Sequence, residues 1–204
     1  MSNPDGQLSE DDRLMIRLQE GDSSAFNQLV EKHQPALIGF FLKNTRDRQL
    51  AEDLSQETML KVYRMSWDYL PTGKFRGWMY RMARNLMIDD YRRRSGDALL
   101  YAKVDDRDDE QALSLLMEEM IPADAAADRR EFVGIVDELL PEIPDDQRQT
   151  FLLHHYTGLS LPEVAEIMEC EVATSKSRLR LAREKLREKL RIRGITSEHF
   201  EEKA

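Results

Sequence analysis

The stretch that decides the fold runs from Ser160 to Arg193: "SLPEVAEIMECEVATSKSRLRLAREKLREKLRIR". Ser160-Leu161-Pro162-Glu163 has the form of a capping box, with proline in the first turn, where its missing N–H costs nothing. Val164, Ala165, Ile167 and Met168 give the short helix behind it an apolar side. Glu169 to Glu171 is a tight connection, and a longer helix is predicted over about Ala173 to Ile192. Leu179, Ala182, Leu186 and Leu190 recur at i, i+3, i+7 and i+11 and should face inward. Lys176, Arg180, Arg183 and Arg187 recur with similar spacing on another side. Short helix, tight turn, longer basic helix is a helix-turn-helix pattern, and a basic ridge on an anchored helix fits a DNA groove. A solvated basic face would explain the ridge alone; the capped scaffold helix before it favours DNA.

Upstream, apolar residues also recur at helical spacing. A first helix is predicted over Asp11 to Gln19, with Leu14, Ile16 and Leu18 inward. Ser23 or Ser24 can cap a second, which carries Ala25, Phe26, Leu29 and Val30 and which Pro35 allows to break or kink. A third begins near Asp47 and runs to about Trp67, with Leu50, Leu54, Thr58, Val62 and Met65 as its stripe. Pro71 to Gly73 is a loop, and a fourth helix spans about Phe75 to Arg94. The second module opens near Arg129 with Phe132, Ile135, Val136, Leu139 and Leu140 on one face. Asp145 or Asp146 should cap the helix that holds Phe151 to Leu153. The fold class is therefore all-α. Two small helical domains, residues 8–95 and 129–193, are joined by a flexible acidic linker, 96–128, in which Leu113 to Met120 could form an amphipathic helix.

The formal net charge is -9, but it is unevenly spread. "KFRGWMYRMARNLMIDDYRRR", Lys74 to Arg94, concentrates seven cations and threads Phe75, Trp78, Tyr80 and Tyr91 among them. The linker is acidic, and Val172 to Arg193 is basic again. Two basic stretches separated by an acidic one suggest two modules gripping a polyanion. Opening a duplex requires something to hold unstacked bases. Aromatic faces do so at about 1–3 kcal/mol per base, while Arg and Lys hold phosphates without choosing sequence.

Three blocks together resemble a known family: "DRQLAEDLSQETMLKVYR", the basic aromatic segment, and "LPEIPDDQRQTFLLHHYTGLSLPEVAEIMECEVATSKSRLRLARE". In this order and spacing they are similar to bacterial sigma-70 factors, specifically the small two-domain extracytoplasmic function (ECF) class. The resemblance covers nearly the whole chain from about Asp11 to Leu190. It implies a protein that binds core RNA polymerase, brings it to promoter DNA and helps open the -10 element. The N-terminal domain would be sigma domain 2, and the helix-turn-helix domain would be sigma domain 4, reading the -35 element. A regulatory anti-sigma factor is common in this class.

The resemblance also implies roles. Asp53, Gln56 and Glu57 stand where the family contacts core polymerase, with Leu54 in the core. "KFRGW" matches the part that handles the melted -10 strand. Lys74, Phe75, Arg76, Trp78, Arg81, Arg84 and Asn85 are its DNA-binding candidates. Trp78 either stacks at the edge of the bubble or is buried in the core; Asn85 either reads a base edge or satisfies its neighbours. Met79, Met82, Ala83 and Leu86 share a core face, and Asp89 is read as an arginine's partner. Lys176, Ser177 and Arg180 are expected at exposed positions of the recognition helix, and Arg178 and Arg183 at the DNA backbone. Where the family often has Gly-Thr-Val at the start of this helix, this chain has Ala173-Thr174-Ser175, so serine stands in place of a packing valine.

Other chemistries find little support. The four histidines lack matched ligand spacing, and no nucleophile elbow or phosphate-binding glycine loop is present. The single Cys170 excludes a disulfide framework within the chain and reads as a small packing residue. Asp89 and Asp90, adjacent on one helix, point about 100° apart and make a poor metal pair. No catalytic residue, metal or cofactor is expected, and no membrane span. The polar N-terminus does not read as a secretory signal, and a cytoplasmic location is the simplest expectation. The rival reading is a helix-turn-helix regulator that acts without core polymerase; direct polymerase binding discriminates. The acidic linker would compete as a polyanion for basic channel walls in the polymerase. Deleting Asp105 to Glu110 is therefore expected to change the ratio of abortive to full-length transcripts, and an unchanged ratio would count against that role.

Overall fold

The computed structural model describes residues 8–95 and 126–195. Among them are eight α-helices and no strand. Helix α1 is Glu10–Gln19, α2 Ser23–Thr45, α3 Arg48–Arg64 and α4 Phe75–Ser95. In the second half α5 is Ala126–Leu139, α6 Asp145–His155, α7 Leu161–Met168 and α8 Val172–Ile192. Most of the span read as a flexible linker, with Leu113 to Met120 as its possible helix, lies outside the described residues. Helix α5 starts at Ala126, inside the span read as linker.

Local chemistry explains most boundaries. Ser9 caps α1 reciprocally: its Oγ accepts from Asp12 N at 3.0 Å, and its own N–H donates to Asp12 Oδ2 at 3.2 Å. Asp22, rather than Ser23 or Ser24, caps α2, with Ser24 N donating to its Oδ1 at 2.9 Å. A carboxylate there also meets the positive end of the helix dipole, which a serine does not. Helix α2 runs unbroken through Pro35, although proline removes one N–H bond and crowds the preceding turn. The buried face formed by Leu29, His33, Leu37, Phe40 and Phe41 spans both sides of the proline and holds the two halves in line.

Asp47 caps α3 as expected, accepting from Leu50 N at 3.0 Å. Helix α3 stops at Arg64, short of Trp67, because a 3-10 turn, Ser66–Asp68, takes over. Gln19 holds that turn from α1, donating to Ser66 O at 2.7 Å and Tyr69 O at 3.0 Å. Asp12 then secures the loop that leads into α4: Gly73 N donates to its Oδ2 at 2.9 Å, and the Tyr69 hydroxyl donates to Oδ1. Burial and the adjacent Asp12 carboxylate push the Tyr69 hydroxyl far above the usual phenol range, so it stays a donor.

In the second half Pro144 stands at the N-cap of α6, with Asp145 and Asp146 in its first turn instead of capping it. Asp146 is engaged by Arg178 of α8 at 2.7 Å. Ser160 and Glu163 form the expected capping box at the start of α7. Glu169 ends α7 in the left-handed region, φ 53°, and its N–H donates to Ala165 O, so that α8 can begin at Val172. Leu179, Ala182, Leu186 and Leu190 are buried almost completely, as their spacing predicts. Full burial of each leucine contributes about 1.5–3 kcal/mol.

The two halves touch along two seams. Helix α4 packs on α7. At the end of α2, Lys43 Nζ lies 2.5 Å from Asp137 Oδ2 and 4.1 Å above the centre of the Tyr156 ring. Arg46 Nη2 donates to Glu138 O at 3.1 Å. No described helix is long and apolar enough to cross a membrane.

Ser175 is fully buried near the start of α8, and its Oγ has no hydrogen-bond partner. A buried hydroxyl left unsatisfied costs about 1–3 kcal/mol. Ser175→Ala is therefore expected to raise the unfolding free energy by about 1 kcal/mol in chemical denaturation.

Candidate functional site

Helix α3 presents Asp53, Gln56 and Glu57 to solvent while burying Leu54, Ser55 and Thr58. The spacing i, i+3, i+4 puts the three on one side. Gln49 Nε2 donates to Asp53 Oδ1 at 3.0 Å, and Arg64 stands 3.7 Å from Glu57, so both carboxylates are held by loose surface partners. The same side continues in an apolar direction that the sequence reading missed. Leu60 and Tyr63 are exposed, and Trp67 is 74% exposed in the 3-10 turn. Part of the signal was available: Leu60 follows Asp53 by seven residues and Tyr63 follows Gln56 by seven, spacings that keep each pair on one helical side, whereas Trp67 lies beyond the end of α3. Tyr63 leans edge-on against Phe26, ring centres 5.0 Å apart.

Helix α4 has two faces. Met79, Met82 and Ala83 are buried, with Leu86 partly so, against the first bundle. Opposite them, at about i, i+3, i+7 and i+10, stand Lys74, Gly77, Arg81 and Arg84. Lys74 and Arg81 are more than half exposed. Arg84, expected at phosphate, is instead buried: its Nε donates to Gln149 Oε1 of α6 at 3.0 Å, and its Nη1 reaches Ile167 O of α7 at 3.5 Å. Packing of the second half on this face is the reason. Phe75 is also buried rather than presented to DNA, wedged against His33 and Tyr69 with ring centres 5.1 and 5.8 Å away. Arg76 is exposed, and Asn85 is half-buried.

Trp78 falls between the two readings given for it. It is half-buried, 5.0 Å from the Tyr69 ring and 6.2 Å from Phe75, and it also lines the cleft between α4 and α7. Its ring is thus part of a tilted aromatic cluster and faces the cleft on another side. The arginine partner at the end of α4 is Asp90, 2.8 Å from Arg94 and 3.7 Å from Arg93; Asp89 offers Arg93 its backbone carbonyl.

Helix α8 departs from expectation at three positions. Arg178 and Arg183 are buried, and Ser177 is fully buried rather than exposed. Arg178 ties α8 to Asp146. Arg183 lies about 40° around the helix from Leu179, inside the apolar stripe, a position the sequence spacing does disclose. Its Nη2 meets His155 Nε2 at 3.2 Å. Burial, with smaller contributions from His154 and Arg183, holds the His155 imidazole down to about 3, so it is neutral and can accept that bond. Ser177 lies on the side of α8 away from Leu179, where it takes part in an interaction within the chain. Lys176 and Arg180 are partly exposed, and Arg180 also pairs with Glu184 at 2.6 Å.

Electrostatically, the molecule offers an acidic and apolar side on α3 and cationic sides on α4 and α8. Near α4, burial opposes the Asp11 carboxylate, but hydrogen bonds from His33 and Lys32 outweigh it and hold this carboxyl below its ordinary range. That fixed charge anchors α1 to α2, 3.0 Å from His33 Nε2 and 2.8 Å from Lys32 Nζ. No group of three His, Cys, Asp or Glu among the described residues is arranged to hold a metal.

Comparison with known proteins matches residues 29–96 to the family model "Sigma-70 region 2" and residues 134–186 to "Sigma-70, region 4". The chain is 30% identical over 179 residues to the RNA polymerase sigma-H factor of Pseudomonas aeruginosa, covering 86% of this chain and 91% of that one. It is 28% identical over 175 residues to the ECF RNA polymerase sigma factor SigW of Bacillus subtilis, covering 86% and 94%. Among solved structures it resembles CnrH in complex with the cytosolic domain of CnrY, with TM-score 0.66 and 24% identity over 90% of this chain and 99% of that one. It also resembles the sigma factor RpoE in complex with the anti-sigma factor NepR from Bartonella quintana, with TM-score 0.59 and 24% identity over 82% and 97%.

The two tryptophans should separate in stability. Trp78→Ala is expected to cost about 2 kcal/mol or more of unfolding free energy, since it opens the stack on Tyr69 and Phe75. Trp67→Ala should change it by less than about 0.5 kcal/mol. Denaturant unfolding of both variants checks the assignment.

Proposed function

Because the chain belongs to the sigma-70 family, and within it to the ECF class, we propose a division of labour among its faces. As a sigma factor it binds core RNA polymerase and directs initiation at promoters. The observation that carries this is the ordered pair of matches, region 2 before region 4, on one chain. A helix-turn-helix regulator that acts alone has no need of the first.

Asp53, Gln56 and Glu57 meet core polymerase, with Leu60, Tyr63 and Trp67 extending that contact. A polar rim beside exposed aromatic and aliphatic side chains is the composition of an interface centred on a few strong contacts. Lys74, Arg76 and Arg81 hold the phosphates of the -10 strand. The open side of Trp78 offers a stacking surface to a base leaving the duplex. Asn85, seven residues along α4 from Trp78 and so on the same helical side, is the candidate to read a base edge. Lys176 and Arg180 reach the -35 element from α8, while Arg178 and Arg183 fix the recognition helix in place. Ser177 and Arg84 join the DNA contacts only in an arrangement that uncovers them, and Phe75 supports the -10 face from below.

The residues 8–95 act as domain 2 and 129–193 as domain 4. The protein contributes recognition and strand opening and no catalytic step, and it works in the cytoplasm with the polymerase. An anti-sigma factor is its proposed regulator.

The test is a binding measurement. Asp53→Ala, Gln56→Ala and Glu57→Ala should each weaken binding to core polymerase by about 1 kcal/mol, and Trp67→Ala by about 2 kcal/mol, with unchanged thermal unfolding. Failure of the unaltered protein to form any complex with core polymerase would overturn the reading.

A further inference from the structure

A second cleft, of about 450 Å³, lies where α3, α4, the end of α7 and α8 meet. That volume falls in the range of small-molecule sites, about 300–1,000 Å³. Arg84, Ile88 and Arg92 recur every four residues along one side of α4, and all three line it. Lys61 joins them from α3 and Arg178 from α8, so four cations surround a space that two carboxylates, Asp89 and Glu169, share. Glu169 is already engaged by Arg81, 3.6 Å away. Lys61 and Arg92 make no ion pair among the described residues. Arg178 is the decisive member. It is only 8% exposed, and its Nη2 is taken by Asp146 at 2.7 Å. Its Nη1 is buried and has no hydrogen-bond partner. A buried guanidinium donor calls for an acceptor, and native structures leave few such groups unmatched.

We propose that this cleft binds a small anion carrying two linked phosphoryl groups, either free pyrophosphate or the diphosphate end of a nucleotide. The charge argues for it: the surplus of cations over carboxylates is more than a singly charged ligand balances. The residue types argue for it as well. Three of the four cations are arginines, whose planar forks match phosphoryl oxygens in pairs. The cations also lie at two depths. Arg84 and Arg178 are buried, whereas Lys61 is partly exposed and Arg92 exposed. One phosphoryl group then sits at the floor and the second at the mouth. Buried Ile88 and Met168 add an apolar wall on which a nucleobase would lie. The site is separate from the -10 contacts of Lys74, Arg76 and Arg81. A nucleic-acid strand carries its phosphates along a continuous backbone and cannot bring one to Arg178 without entering the fold, whereas a compact anion can.

The experiment is isothermal titration of the full chain with sodium pyrophosphate and, separately, with adenosine diphosphate, without divalent cations and at physiological ionic strength. Screening then limits the influence of charges more than about 8 Å from the ligand. Lys61→Gln/Arg92→Gln alters the mouth of the cleft and should weaken pyrophosphate binding about 10-fold or more. The control Arg13→Gln/Arg48→Gln removes the same charge at exposed positions of α1 and α3 and should change it less than about 2-fold. Arg178→Lys keeps the charge but loses the fork, and should weaken binding about 5-fold or more. Circular dichroism establishes that each variant is folded, and if Arg178→Lys is not, the Lys61/Arg92 variant decides alone. Tighter binding of adenosine diphosphate than of pyrophosphate identifies the ligand as a nucleotide, and equal or weaker binding identifies the free anion. No saturable binding of either up to about 1 mM, a loss in the Lys61/Arg92 variant no greater than in the control, or unchanged affinity in folded Arg178→Lys overturns the proposal. The sigma-factor reading rests on other residues and survives that outcome.

Discussion

The buried carboxylate of Asp12 holds the first bundle's working edge in place. It caps its own helix through Ser9 and also receives the Tyr69 hydroxyl and the Gly73 amide. A carboxylate withdrawn from water must have its lone pairs filled, and here three donors fill them, Ser9 N from its own helix cap and the Tyr69 hydroxyl and Gly73 amide from the distant loop before α4. The consequence is positional. The loop before α4 cannot drift, so Lys74 and Phe75 enter the helix at a set angle, and Trp78 finds Tyr69 to lean on. Gln19 repeats the device about two turns along α1, gripping the carbonyls of Ser66 and Tyr69.

From that edge, α4 carries the tension in the design. One face is apolar and satisfied by the bundle. The other is cationic, and like charges crowded together repel unless anions stand near. Helix α7 meets it with the exposed, weak pairs of Glu166 and Glu169, while Arg84 is held by buried hydrogen bonds to Gln149 and the Ile167 carbonyl. The buried core runs through both halves, and the seam adds to it the buried hydrogen bonds of Arg84 alongside the exposed ion pairs.

Much was legible beforehand. The inward stripe of α8, the capping box at Ser160, the Asp47 cap and the core face of α4 follow from spacing and cap chemistry that neighbours do not override. The exposed trio on α3 was placed by resemblance, and its apolar continuation through Leu60 and Tyr63 could have been read from the same spacing; Trp67 is set by the 3-10 turn that follows the helix. The departures have two causes. Arg84 and Arg178, expected at DNA from the resemblance, are buried by what another segment brings to them: Gln149 and Ile167 to Arg84, Asp146 to Arg178. Phe75 and Arg183 differ, because the spacing of Phe75 from Met79 and of Arg183 from Leu179 already puts each on an inward face.

By itself, then, the sequence determined the helices, their inward faces, the helix-turn-helix and the family. These are set by local hydrogen bonding and by a period of 3.6 residues, which a linear string carries in full. Only the tertiary structure decided which cations remain at the surface, which are spent holding helices together, and that α7 lies across the cationic side of α4. Those outcomes depend on pairs such as Lys74 with Glu166 and Arg84 with Gln149, far apart in the chain. The strength of a charge contact is set by distance and by exclusion of water, and neither exists until the chain has folded.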